Sequence, residues 1–91
     1  MNAPVAPSPV TVLVTRRVRP GRAAEFEQLM VGMTADSAKF PGHLGGHLIP
    51  PEASGSGSYQ MLFAFDSELH LQAWTRSGER RVWLERIAEV T

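Results

Sequence analysis

Phe40-Pro41-Gly42-His43-Leu44-Gly45-Gly46-His47-Leu48-Ile49 is the stretch whose reading decides the fold. Pro41 has no N–H with which to continue a helix, and Gly42 tolerates the positive φ of a tight turn. The chain must therefore change direction here. Beyond the turn, strict alternation predicts a strand with His43, Gly45, His47 and Ile49 on one face and Leu44, Gly46 and Leu48 on the other. Glycines at both 45 and 46 leave space above the sheet, for a ligand or for another backbone.

The preceding residues carry a helical pattern. Phe26, Leu29, Met30, Met33 and Phe40 fall on an i, i+3, i+4, i+7 stripe, which predicts a helix from about Ala23 to Lys39. Glu25, Glu27, Gln28 and Asp36 take its wet side, and the two glutamates suit the helix dipole. Upstream, Val10, Val12 and Val14 alternate with Thr11, Leu13 and Thr15, which predicts a strand buried on both faces and ended by Pro20-Gly21. Residues 1–9, with prolines at 4, 7 and 9, read as an extended, disordered leader to a single domain over residues 10–91.

Downstream, Pro50-Pro51 closes the motif strand, and residues 52–58 have the composition of a flexible hairpin loop. A strand follows over Tyr59 to Phe65, with Tyr59, Met61, Phe63 and Phe65 on one side. Asp66 or Ser67 is placed to cap a helix over roughly Glu68 to Arg76 that carries Leu69, Ala73 and Trp74. Ser77-Gly78 interrupts it, and a last helix from about Glu79 to Ala88 directs Val82, Trp83, Leu84 and Ile87 inward. The order β-α-β-β-α-α suits a ferredoxin-like, split β-α-β α+β sandwich, with helices on one face of an antiparallel sheet. The other face is also apolar. A homodimer stacking sheet on sheet is the simplest cover for it.

The 91 residues include nine Lys or Arg and nine Asp or Glu, so no net field favours nucleic acid or an acidic membrane. Arg16, Arg17, Arg19 and Arg22 all precede the first acid, Glu25, and read either as a solvated strand end or as an anion-binding patch. The absence of cysteine excludes disulfides, thiolate metal sites and a Cys nucleophile, and suits a reducing cytoplasm. No apolar run approaches the roughly 20 residues needed to span a membrane. On a regular strand His43 and His47 stand about 13 Å apart, too far to hold one metal as a pair. Either can serve a pocket as donor and acceptor near neutral pH. Trp83 reads as core, while Trp74 reads as core or pocket wall, and Tyr59 as a strand-end aromatic.

Three segments then carry a resemblance: VLVTRRVRPG at Val12–Gly21, FPGHLG at Phe40–Gly45, and FDSELHLQAWTRSGERRVWL at Phe65–Leu84. In their order and spacing they resemble the antibiotic biosynthesis monooxygenase domain family, over nearly everything from Val10 to Ile87. The resemblance implies a ferredoxin-like fold paired as a dimeric α/β barrel, and a small oxygenase that oxidises polycyclic phenols to quinones without metal, flavin or nicotinamide. It implies Trp74 as the helix tryptophan that lines the pocket, with His43 or His47 handling a proton. Arg16 or Arg17 would stabilise a phenolate or peroxide anion, with Tyr59 beside the substrate. A non-catalytic ligand-binding or stress-linked protein of the same fold is the alternative. Haem-degrading relatives use an asparagine in the first strand and a histidine about ten residues after the tryptophan. Here the only asparagine is Asn2, Leu84 stands ten after Trp74, and His70 precedes it, so that branch is disfavoured. The family fold also closes with a fourth strand beside the first, for which the few residues after Ile87 leave little room; either this is a shortened form of the fold, or a partner or the leader covers that edge.

Overall fold

Alternation, helical stripes and turn residues in the sequence translate into seven elements in a computed structural model that describes residues 8–55 and 57–91. They run β1 (Val10–Arg16), α1 (Ala23–Ser37), β2 (His43–Ile49), α2 (Pro51–Ser54), β3 (Tyr59–Phe65), α3 (Glu68–Thr75) and α4 (Gly78–Ala88). The leader expected over residues 1–9 lies outside the described residues except for residues 8 and 9. Where a flexible loop is expected after Pro50, the chain makes the short turn α2, with Pro51 at its first position, where a missing N–H costs nothing.

The sheet is antiparallel throughout, in the order β1-β3-β2. β1 pairs with β3 from Val10 opposite Phe65 to Arg16 opposite Tyr59. That register puts Val10, Val12, Val14, Phe63 and Phe65 on one face, which the longer helices cover. The fold is the α+β, ferredoxin-like arrangement, with helices on one side of the sheet only.

β2 departs from strict alternation, and this corrects the expected facing of the two histidines. His43 pairs opposite Phe65 and Gly45 opposite Ala64, so Leu44 is an extra residue in β2, a β-bulge. Gly45 accommodates it at φ 145°, a conformation rarely open to other residues. The bulge shifts the pleat by one residue. His43, Gly46 and Leu48 therefore face the helices, while Gly45, His47 and Ile49 face the other way.

The core gathers Phe26 and Met30 from α1, Tyr59 from β3, Ile87 from α4, and Val90 beyond it. Phe26 and Val90 are fully buried, and the Phe26 and Tyr59 rings meet at 4.8 Å between centroids. Each such side chain contributes about 2–3 kcal/mol of transfer free energy. Helix α4 lies close on α1: a Cβ at Gly32 would run into the Trp83 ring, whose indole N–H donates to Asp36 at 2.6 Å. That bond holds the Asp36 carboxyl below its usual range. Among the described residues no fourth strand pairs with β1. The Val90 carbonyl instead accepts from the Arg19 N–H at 2.8 Å, just past the strand end.

Three burial expectations are corrected. β1 is shielded on one face only, with Thr11, Leu13 and Thr15 exposed. Leu69 and Val82 also point outward, because α3 turns Trp74 to the core and α4 turns Leu84 and Ile87. Leu13, Leu44, Val31, Leu69 and Val82 are the large exposed hydrophobics, and the first two belong to the uncovered side of the sheet.

Candidate functional site

The space between the sheet and the helices is a narrow slot whose walls come from four elements. Ser67 caps α3 by accepting from the His70 N–H at 3.2 Å, and Trp74 follows in the last turn of that helix. Trp74 is buried and meets Phe40 edge-on at 5.2 Å, so its ring plane is fixed from the corner that begins the opening motif. Met33 of α1 and Met61 and Phe63 of β3 complete the apolar wall.

Two polar groups enter one end of this slot. The bulge turns His43 inward, where its ring packs edge-on to Phe65 at 5.4 Å. Its Nε2 is buried and has no hydrogen-bond partner among the described residues. Ser37, 5% exposed, brings a hydroxyl in the same condition. Both line a cavity of about 10 Å³ with Met33, Thr34, Met61, Phe63 and Trp74. That volume is near the lower limit for a single water, so a larger guest must displace side chains. Buried polar atoms are almost always paired. Two unpaired ones around one cavity mark a place where a hydrogen-bonding guest would be stabilised.

The same four apolar residues also line a second cleft of about 30 Å³, together with Val14, Met30, Leu84 and Ile87. Arg16 and Arg80 line this cleft too. Arg80 donates from Nη1 to the Thr75 carbonyl at 3.3 Å. Burial lowers its pKa, and the Arg16 charge beside it adds to the effect.

The remaining candidates lie elsewhere. His47 is exposed on the opposite face of the sheet. Arg17 is exposed just beyond β1. Tyr59 is buried in the core, and its hydroxyl donates to Glu27 at 2.7 Å; that bond, aided by burial and the carboxylate charge, pushes its pKa up to about 12. His70 pairs through Nδ1 with Asp66 at 2.6 Å. Among the described residues no three His, Asp or Glu side chains cluster closely enough to hold a metal ion. No helix there is long and apolar enough to cross a membrane.

The structure thus brings together Trp74, His43 and Arg16, and adds Ser37 and Arg80, which the sequence reading passes over. Both had a signal. Ser37 continues the Phe26, Met30, Met33 stripe of α1, and Arg80 begins the stripe of Leu84 and Ile87 on α4. A polar residue on an apolar stripe is one that the fold buries or half-buries.

Residues 9–86 match the family model described as antibiotic biosynthesis monooxygenase. No curated protein matches the chain significantly. Among solved structures, a conserved protein from Methanosarcina mazei Go1 superposes with a TM-score of 0.80 at 19% identity, covering 91% of this chain and 81% of that one. A protein from Nitrosomonas europaea, provisionally described as an antibiotic biosynthesis monooxygenase, gives 0.77 at 15% identity, covering 98% and 84%. Rv0793 from Mycobacterium tuberculosis gives 0.76 at 18% identity, covering 91% and 83%. At these identities the three structures establish likeness of fold.

Proposed function

The chain belongs to the antibiotic biosynthesis monooxygenase family, and from that premise we propose that it oxidises a small phenolic aromatic with O2 in the slot beside Trp74. The observation that carries this reading is the pair of unpartnered buried polar atoms, His43 Nε2 and Ser37 Oγ, in a cavity otherwise walled by Thr34 and four apolar side chains. A phenol or enol entering there would give its proton to the imidazole, with the serine hydroxyl donating to the oxyanion left behind. The anion, shielded from water, is electron-rich enough to reduce O2 itself, so no resident redox group is required. For a ring CH2 activated by the phenol, the carbon forms a bond to oxygen, the O–O bond breaks, and one water leaves as the C=O forms. CH2 plus O2 gives C=O plus H2O. The protein's share is to bind, desolvate and move the proton.

The dimeric α/β barrel belongs to the same proposal. Leu13 and Leu44, 55% and 58% exposed, leave an apolar sheet face that a second copy would cover. Sedimentation at several concentrations tests it, and a strict monomer would refute it. A cytoplasmic location suits the absence of cysteine.

The narrowness of the slot favours a second reading, a ligand-binding protein of this fold without chemistry. Met30, Met33 and Met61 fill space that a polycyclic substrate would need. Oxygen uptake with a panel of hydroxylated anthrones separates the two. Turnover above the rate without protein supports the oxygenase, and no member exceeding that rate leaves only the binding protein.

A further inference from the structure

We infer that the end of the slot remote from His43 is an anion subsite, built from Arg16 and Arg80, and that the ligand is an aromatic carrying a carboxylate or phosphate on the side away from its reacting group. The inference rests on the slot being the substrate site. It deepens that reading by naming what the second end selects.

Four observations carry it. Arg16 and Arg80 come from different elements, the end of β1 and the first turn of α4, yet line one cleft. Among the described residues neither forms a salt bridge, no Asp or Glu lines the cleft, and the Arg16 side chain makes no hydrogen bond. Arg80 spends one donor on the Thr75 carbonyl, leaving most of its five N–H groups for a guest. Arg80 also opens on its outer side to a surface basin of about 390 Å³ lined by Arg76 and Arg81, so an anion would meet positive charge before reaching the slot. Two half-buried guanidiniums lining one cleft without a counter-charge repel. An anion between them relieves that repulsion, and the guanidinium fork matches carboxylate and phosphate oxygens in pairs.

The register supplies the length. Arg16 pairs opposite Tyr59 and His43 opposite Phe65, so the two ends are about 20 Å apart along β3, before the arginine side chains reach inward. Between them lie Met33, Met61, Phe63 and Trp74, apolar and in part flexible. Unbranched methionine side chains can move aside for a flat ring. A ligand matching this profile is flat in the middle, hydrogen-bonding at one end and negative at the other.

Calorimetric titration of the full chain with 2-naphthoate, 2-naphthyl phosphate and neutral 2-naphthamide tests the subsite without requiring turnover. In the wild type at low salt, at least one anion should bind ten or more times tighter than the amide, and the larger preference names the group. Arg80→Gln and Arg16→Gln should each cut that preference below threefold with amide affinity unchanged, whereas Arg17→Gln, outside the slot, should preserve it. Equal binding of anions and amide by the wild type overturns the subsite and leaves the slot reading standing. So does a preference that survives Arg80→Gln or is lost in Arg17→Gln. Failure of all three compounds to bind refutes the slot itself, and the subsite falls with it.

Discussion

Replacing Ser37 by alanine should make this protein more stable and less active, and the size of the gain follows from the site. Ser37 is 5% exposed on the buried stripe of α1, and its hydroxyl finds no partner among the described residues. Burying an unpaired hydroxyl costs about 1–3 kcal/mol in proteins. Alanine is also the better helix former, by at most about 0.5 kcal/mol. Against this stands a slightly larger void: an added 10 Å³ costs about 0.2 kcal/mol at 24 cal/mol per Å³. The balance is a gain of about 1–3 kcal/mol, or about 5–20 °C in Tm for a domain of this size. Urea unfolding, with an unchanged m-value, measures it. Loss of stability by 0.5 kcal/mol or more in Ser37→Ala would mean that the hydroxyl is already satisfied in the folded state. Such a hydroxyl would not be waiting for a guest. If it is poised as proposed, the same variant turns over phenolic substrate more slowly.

Three further outcomes are expected. His43→Ala should lower turnover by about a hundredfold, the usual loss of a general base, while His47→Ala, on the opposite sheet face, should stay within twofold; equal losses would contradict the bulged register. Gly42→Ala should destabilise by about 2–4 kcal/mol in denaturant titration, because Gly42 has φ 83° and a Cβ there would strike the Asp66–His70 pair. The Tyr59 hydroxyl is raised from 10.0 to about 12 by its bond to Glu27, so its contribution to stability is complete below pH 10 and lost as the pH rises from about 10 to 12. Tyr59→Phe should flatten that alkaline limb of the stability curve, and an unchanged limb would sink the assignment.

The sequence made the element order legible because each element carried its own local signal. Phe26, Met30 and Met33 mark α1 by spacing, Val10, Val12 and Val14 mark β1 by alternation, Ser67 caps α3 as its turn chemistry suggests, and Ser77-Gly78, read as a break, is where Ser77 caps α4. What stayed hidden is what depends on partners distant in sequence. Leu69 and Val82 are apolar at helical positions, and only the docking of α3 and α4 decides that they face outward. The bulge at Leu44 is invisible because Leu-Gly-Gly-His has too few apolar residues to pin one register against another. Only pairing with β3 settles which histidine faces the helices. Ser37 and Arg80 sit where the stripes of α1 and α4 call for apolar residues, so propensity and periodicity treat as faults the two residues that make the slot polar at its ends.

That same bulge ties the proposed site to the proposed dimer. Without an inserted residue, His43 and His47 would share a face, and the two could not be divided between the slot and the open side of the sheet. With it, His43 faces Phe65 and Trp74, while Leu44 emerges beside Thr11 and Leu62 on the open side of the sheet. One local irregularity in β2 thus places a base inside and an apolar side chain outside. Gly45 sets the backbone that both require, and its own position is open, with nothing for a Cβ to strike. Its glycine is therefore explained by φ and not by crowding. The helix-to-strand corner matters less for its two histidines than for the single residue by which it departs from a regular strand.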